Sequence, residues 1–236
     1  MVVLEDKLGT ISGGRVLDIA TGEGGFILML KESLRDFEQF VGIDITDSKF
    51  NKAREKFEGE NISFAKMDGA KLAFSNDCFD TVTVCNSLHH LGDIPSTLQE
   101  MKRVLRPGGN FLIFEMFSDN QSPQQINHVD LHHWWAAVNR LEGIPHNPTM
   151  RKAEIIDFVN QLNLHKVEFV EHLMSDEDRE DEETLEFLFK TIDEFLKKLE
   201  SIPDSEKLMS EGRELRRRIE IDGFAWATEL VAIGKK

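Results

Sequence analysis

The stretch "RVLDIATGEGGF", residues 15–26, decides the fold. An apolar, β-branched run leads into a turn holding Gly22, Gly24 and Gly25, and a second apolar run follows at once. A strand that breaks on small residues and re-enters as a helix brings backbone N–H groups and a helix N-terminus close to a ligand. The dinucleotide fingerprint G-x-G-x-x-G/A needs a small third residue so that helix and strand pack closely. Gly22 and Gly24 supply the first two positions, but Ile27 stands at the third. A second pattern is an acid near the strand end followed by small residues at every other position. Asp18, Ala20, Gly22 and Gly24 fit it with one substitution. Such turns also occur without any ligand, so the turn alone leaves both chemistries and a packing role open.

Outward from this turn, short apolar runs alternate with amphipathic ones. Strands are predicted at 15–20, 39–44, 62–67, 79–86, 110–117, 165–173 and 223–236. Helices are predicted at 26–36, 47–58 (capped by Thr46 or Asp47), 94–105 (stopped by Pro107-Gly108-Gly109) and 151–163. Alternation of this kind predicts an α/β fold, a doubly wound and mostly parallel sheet with ligands at the C-terminal ends of its strands. Two segments, 118–150 and 174–222, break the rhythm and read as helical insertions. They are expected to cover the ligand edge as a lid or to form a homo-oligomer contact, within a single domain of 236 residues.

Composition narrows the partners. The formal net charge of −15 opposes a nucleic-acid substrate and an anionic membrane surface. Only "RELRRR" (213–218) is basic, and it reads as complementing a helix end and the acidic run "SDEDREDEE". No apolar run approaches the roughly 20 residues of a membrane span, so no membrane insertion is expected. Two cysteines, Cys78 and Cys85, and an N-terminus without a signal-peptide pattern lead to a cytoplasmic expectation with free thiols.

Further acids end the next strands. Asp44 follows Gly24 by about 20 residues, the place of a carboxylate that accepts from ribose hydroxyls. Asp68, in "KMDGAKLAFSNDCFD", can accept from an adenine amine, with the Gly69 N–H turned to a ring nitrogen. "CNSLHHL" (85–91) follows the fourth strand and "RVLRPGG" (103–109) precedes the fifth.

The ordered set "VLDIATGEGG", "GIDITDS", "MDGAKLAFSNDCFDTVTVCNSLHHL" and "MKRVLRPGGNFLI" resembles the class I S-adenosylmethionine-dependent methyltransferases, in particular their small-molecule branch. The resemblance covers residues 15–117 and extends to the C-terminal half only in broad topology. It implies a seven-stranded Rossmann-like sheet with one antiparallel strand, for which 223–236 is suited. It also implies S-adenosylmethionine as cofactor and a small-molecule methyl acceptor. Gly22 and Gly24 would line the methionine part, Asp44 hold the ribose, Asp68 and Gly69 the adenine, and Asn86 support the methionine moiety, with Asp18, Ala20 and Ile45 also at the cofactor. Ala20 and Ala73 depart from the usual Gly and Pro; alanine at position 20 is expected at negative φ, where it would be tolerated.

His89 and His90 are the candidates for a general base, needed only if the acceptor arrives protonated. His128 and His132 have a usable metal-ligand spacing, but packing is the favoured reading and no metal is expected. Trp134 and Trp135 read as core or lid anchors. Two alternatives to methyl transfer remain: a catalytically silent binder of the same cofactor, and a nicotinamide-dependent oxidoreductase, which Ile27 opposes.

Overall fold

The computed structural model describes residues 4–173 and 182–236. Its elements in chain order are α1 (Leu4–Leu8), β1 (Arg15–Ile19), α2 (Gly25–Ser33), β2 (Gln39–Asp44), α3 (Phe50–Lys56), β3 (Ile62–Lys66) and β4 (Phe79–Cys85). After a 3-10 turn at Leu88–His90 come α4 (Ile94–Val104), β5 (Leu105–Met116), α5 (Pro123–Leu141), α6 (Lys152–Gln161) and β6 (His165–His172). The chain ends with α7 (Glu182–Leu199), α8 (Glu206–Asp222) and β7 (Glu229–Lys235).

The seven strands form one sheet in the order β3-β2-β1-β4-β5-β7-β6. β1 pairs in parallel with β2 and β4, β2 with β3, and β4 with β5. β7 runs against β5: the Gly108 N–H donates to Lys236 O at 2.8 Å, while the Phe117 N–H reaches Thr228 O at 3.4 Å. The expected mostly parallel sheet with one reversed strand near the C-terminus is therefore present. Val16, Leu17 and Ile19 of β1 are buried, as a central strand covered on both faces requires.

Local chemistry shifts several boundaries from the pattern. The helix expected over 47–58 starts at Phe50 with no side-chain cap, because Thr46 is engaged by Asp44: its N–H and hydroxyl both donate to Asp44 Oδ1. β5 starts directly at Leu105, and the pairing jumps from Phe79↔Leu105 to Thr81↔Asn110, so residues 106–109 bulge out of the ladder. The last strand is shorter than the 223–236 expected. Residues 223–228 are held instead by α5, with Asn127 Nδ2 donating to Gly223 O at 2.7 Å and Gln125 Nε2 to Trp226 O at 3.1 Å. The acidic run "SDEDREDEE" falls mostly outside the described residues.

The chain divides into two compact units. The first, Met1–Glu115 with Ile156–Val170 and Leu230–Lys236, contains β1 to β4 and all but the last residue of β5. One core of this unit packs α1 and α2 against the sheet through Leu4, Leu8, Ile27, Leu30, Phe40 and Phe114. The second, Met116–Ile155 with Glu171–Glu229, is built on α5, α7 and α8. Its core gathers Leu131, Trp134, Leu188, Ile192, Leu215 and Phe224.

Candidate active site

The turn after β1 is tight and left-handed. Ala20, Gly22 and Gly24 have φ of 56°, 52° and 77°. The Thr21 N–H donates to Ile43 O at 2.9 Å, tying the turn to β2, and the Gly24 N–H closes it on Thr21 O at 2.8 Å. Gly24 then caps α2 in left-handed conformation. The expectation of negative φ at Ala20 is thus corrected. Three alternate residues share the left-handed region, and the alanine occupies it at a steric cost that glycine would not meet.

The two glycines are required for different reasons. A Cβ on Gly22 would meet only Lys49 Cδ at 3.8 Å, so its constraint is conformational. A Cβ on Gly24 would lie 2.6 Å from Phe57 Cε2, so that glycine is also demanded by the packing of α2 on Phe57. Ile27, the residue that spoils the dinucleotide fingerprint, is fully buried in the core under α2. A branched side chain thus fills the helix–sheet space that the fingerprint keeps small.

Asp18 is 1% exposed and sits opposite Thr83 in the parallel ladder. The Thr83 hydroxyl donates to its Oδ1 at 2.8 Å, whereas Oδ2 and the buried Thr21 Oγ1 have no hydrogen-bond partner among the described residues. Burial pushes the Asp18 carboxyl up to about 7; the nearby Thr21 hydroxyl, which falls short of hydrogen-bond geometry, and the Thr83 hydrogen bond oppose the shift, and the Asp44 carboxylate adds to it. In the sequence Thr83 is only one more β-branched strand residue; its register with Asp18 is a signal that spacing does not carry.

Asp44 ends β2 with its oxygens aimed by backbone. Oδ2 accepts the Gly22 N–H at 3.2 Å and Oδ1 the Thr46 N–H at 3.0 Å. Oδ1 also takes the Thr46 hydroxyl at 3.3 Å, so Oδ2 is the oxygen that keeps acceptor capacity for a ligand hydroxyl. Ile45 beside it is 67% exposed, an apolar side chain next to an acid at the sheet edge. Asp68 follows β3, which pairs with β2 at Asp44↔Lys66, and its Oδ1 accepts the Ala70 N–H at 2.9 Å. The backbone at Gly69 crosses so close to Ile19 and Thr97 that a Cβ would stand 3.1 and 3.0 Å from their methyls.

Asn86 follows β4 with φ of 42°, its N–H donating to Phe114 O at 2.8 Å. His89 is fully buried and His90 exposed, with ring centroids 4.2 Å apart. His89 Nδ1 lies 2.6 Å from Oε1 of Glu115, a residue of β5 that is itself fully buried. Glu115 is a functional candidate that sequence reasoning misses, since "NFLIFEMF" reads simply as an apolar strand. An acid inside such a run is the one signal that could have found it.

Asp18, Ala20, Gly22, Gly24, Asp44, Ile45, Asp68, Gly69, Asn86, His89 and His90 therefore all follow or end the parallel strands on one edge. The other candidates belong to the second unit. His128 Nδ1 accepts the Ala227 N–H at 2.9 Å, fixing the irregular segment before β7. Trp134 Nε1 donates to Leu208 O at 2.8 Å in the unit's core. In the basic run, Arg216 and Arg217 pair with Asp193 and Glu214, at 3.1 and 2.6 Å, and Arg218 pairs with Asp130.

The donor expected here is a sulfonium nucleoside with a free amino acid end. A buried carboxylate oxygen without a hydrogen-bond partner among the described residues, a left-handed turn open above Gly22 and an aimed Asp44 fit its cationic and ribose portions.

Residues 16–109 match a family model described as a methyltransferase domain. The demethylmenaquinone methyltransferase of Bacteroides fragilis is 35% identical over 115 residues, 47% of this chain and 46% of that one. The ubiquinone/menaquinone biosynthesis C-methyltransferase of Teredinibacter turnerae is 34% identical over 128 residues, 52% of this chain and 51% of that one. The chain thus matches about half the length of these curated relatives. Among solved structures, a putative methyltransferase of Haloferax volcanii, in complex with the activator Trm112, superposes with a TM-score of 0.63. That match has 19% identity and covers 98% of this chain and 86% of the other, a likeness of fold. Residues 16–109 are thus similar in sequence to a methyltransferase domain, over the part of the chain that carries the glycine turn and the strand-end acids.

Proposed function

We propose that the whole chain transfers the methyl group of S-adenosylmethionine to a nucleophilic atom of a small, hydroxylated aromatic acceptor of the quinol type. The observation that carries the donor half is Asp18, buried beside a left-handed turn with Oδ2 lacking a hydrogen-bond partner among the described residues. The acceptor class is supported by the activities for which the relatives are named, whose matched regions cover about half of this chain. Residues 118–150 and 174–222 lie beyond the matched domain, and we assign them the choice of acceptor, as a lid or as a contact between copies. A cytoplasmic location belongs to the same reading, supported by Cys78 and Cys85, which no disulfide joins.

When bound, the donor supplies a methyl group already activated by a sulfonium. The protein's residues then have three tasks. The first is to hold the cationic end, by Asp18 and the turn 20–24. The second is to fix the nucleoside, by Asp44 and Ile45 on one side and Asp68 and Gly69 on the other. The third is to align the acceptor and receive its proton near the turn after β4, where His89 and His90 sit. Alignment alone can supply about 7–11 kcal/mol of the barrier in favourable cases. Proton removal from a phenolic hydroxyl raises the electron density on the ring and adds about 10²–10⁴-fold.

Calorimetric titration with S-adenosylhomocysteine and with NADH, followed by transfer of a labelled methyl to a short-chain demethylated naphthohydroquinone, tests this reading. Binding of the first ligand alone and label in the quinol are expected. Asp44→Ala should weaken S-adenosylhomocysteine by about 1–3 kcal/mol, the size of hydrogen bonds to a charged group. NADH binding alone would overturn the donor, and binding without turnover on any acceptor would favour a silent cofactor-binding protein.

A further inference from the structure

Glu115 lies in the buried part of β5, where every residue from Gly109 to Met116 is covered. A carboxylate there is costly unless its lone pairs are filled. The parallel register fills them. β4 pairs with β5 as far as Cys85↔Phe114, and the Asn86 N–H continues the ladder to Phe114 O. The next residue of β5 therefore meets the chain just as it leaves β4. Glu115 Oε2 accepts the Ser87 N–H at 3.1 Å and the Leu88 N–H at 2.8 Å, and Oε1 meets His89 Nδ1 at 2.6 Å. The Ser87 hydroxyl donates back to Cys85 O at 2.7 Å, closing the same turn from below.

We infer that Glu115 is the positioning residue of the methyl-transfer site: it clamps the turn 86–90 and holds His89 in the tautomer that carries hydrogen on Nδ1, leaving Nε2 as the proton acceptor. The inference rests on the methyl-transfer reading above. An ionised carboxylate offers only lone pairs, so the hydrogen of the 2.6 Å contact belongs to the ring. Asn86 in left-handed conformation and exposed His90 flank the clamped residues, so their placement depends on the same carboxylate.

Glu115→Gln separates this role from simple packing. The amide oxygen can keep both backbone N–H bonds, which turns its NH2 toward His89 and makes Nδ1 the acceptor. The ring must then carry hydrogen on Nε2. ¹⁵N chemical shifts of the His89 ring, assigned with a His89→Asn spectrum, are expected to show Nδ1–H in the wild-type protein and Nε2–H in the variant. Methyl transfer to the naphthohydroquinone is expected to lose about a hundredfold in kcat, with the acceptor KM and the S-adenosylhomocysteine affinity within about twofold. An Nε2–H ring in the wild-type protein overturns the inference, and this readout needs no variant to fold. Equal kcat in wild type and a folded variant overturns it as well. Absence of turnover by the wild-type protein sinks the methyl-transfer reading first, and the positioning role of Glu115 with it.

Discussion

Thr83 donates its hydroxyl to one oxygen of Asp18 at 2.8 Å, and the other oxygen of that buried carboxylate has no partner among the described residues. The unfilled oxygen lies at the edge where S-adenosylmethionine is proposed to bind, so the fold carries a polar cost that ligand binding removes. An unsatisfied buried carboxylate destabilises the protein that holds it.

The cost has a defined pH dependence. Asp18 titrates near 3.8 when unfolded and at about 7 in the folded protein. A raised carboxyl pKa means that the fold holds the proton more tightly than the unfolded chain does. The contribution of Asp18 is most favourable below the unfolded value, declines as pH rises and is lost above about 7, by up to about 4 kcal/mol. Asp18→Asn removes this slope. The variant should match wild type in denaturant midpoint at pH 4, exceed it at pH 8, and bind S-adenosylhomocysteine more weakly at both. Parallel stability–pH curves for the two proteins would contradict the burial argument.

Ala20 gives a second test at the same turn. Its φ of 56° is one that an L side chain adopts at a cost of about 1–2 kcal/mol, partly offset by the lower unfolded-state entropy of alanine. Ala20→Gly should raise the unfolding free energy by about 1 kcal/mol in urea titrations without changing the m-value. Loss of stability would show that the methyl group makes a packing contact stronger than the strain.

How far this site can be read from the chain follows from which contacts are local. Asp18, Asp44 and Asp68 end successive strands, and hydrophobic alternation places strand ends well, so pattern alone puts three acids on one edge. The φ of Ala20 is not legible, because the residue type favours the opposite sign and only the closure of Thr21 on Ile43 imposes the turn. Glu115 is hidden for a related reason. Its partners lie 26 to 28 residues away, and only the β4–β5 register brings them together. The shortened β7 reflects side chains of α5 capturing residues 223–228, a competition that strand patterning does not reveal.

The two motif glycines should respond unequally to alanine. Gly22→Ala meets open space and costs only what positive φ imposes, about 1 kcal/mol. Gly24→Ala brings a methyl to 2.6 Å from Phe57 Cε2 in addition, and overpacking costs about 1–3 kcal/mol more. If the ring is the obstacle, Phe57→Leu should recover part of the Gly24→Ala loss in a double-mutant cycle, with a coupling above about 0.5 kcal/mol. Additive effects would show that backbone conformation alone sets the requirement.

In the second unit, Gly212 lies inside α8, where alanine ordinarily stabilises a helix by about 1 kcal/mol. Here the sign should reverse. A Cβ at this position would stand 2.4 Å from Trp134 Cζ2 and 3.0 Å from Leu196 Cδ2. The indole cannot swing away freely, since its Nε1 donates to Leu208 O at 2.8 Å on the same helix and Trp134 is 5% exposed. Gly212→Ala therefore forces α5 and α8 apart or breaks the indole hydrogen bond, and either outcome costs more than the propensity gains. A fall of several degrees in Tm, with a shift in tryptophan fluorescence, is expected from thermal unfolding. A raised Tm with unchanged fluorescence would mean that the helix pair tolerates the methyl and that Gly212 is not what sets their close approach.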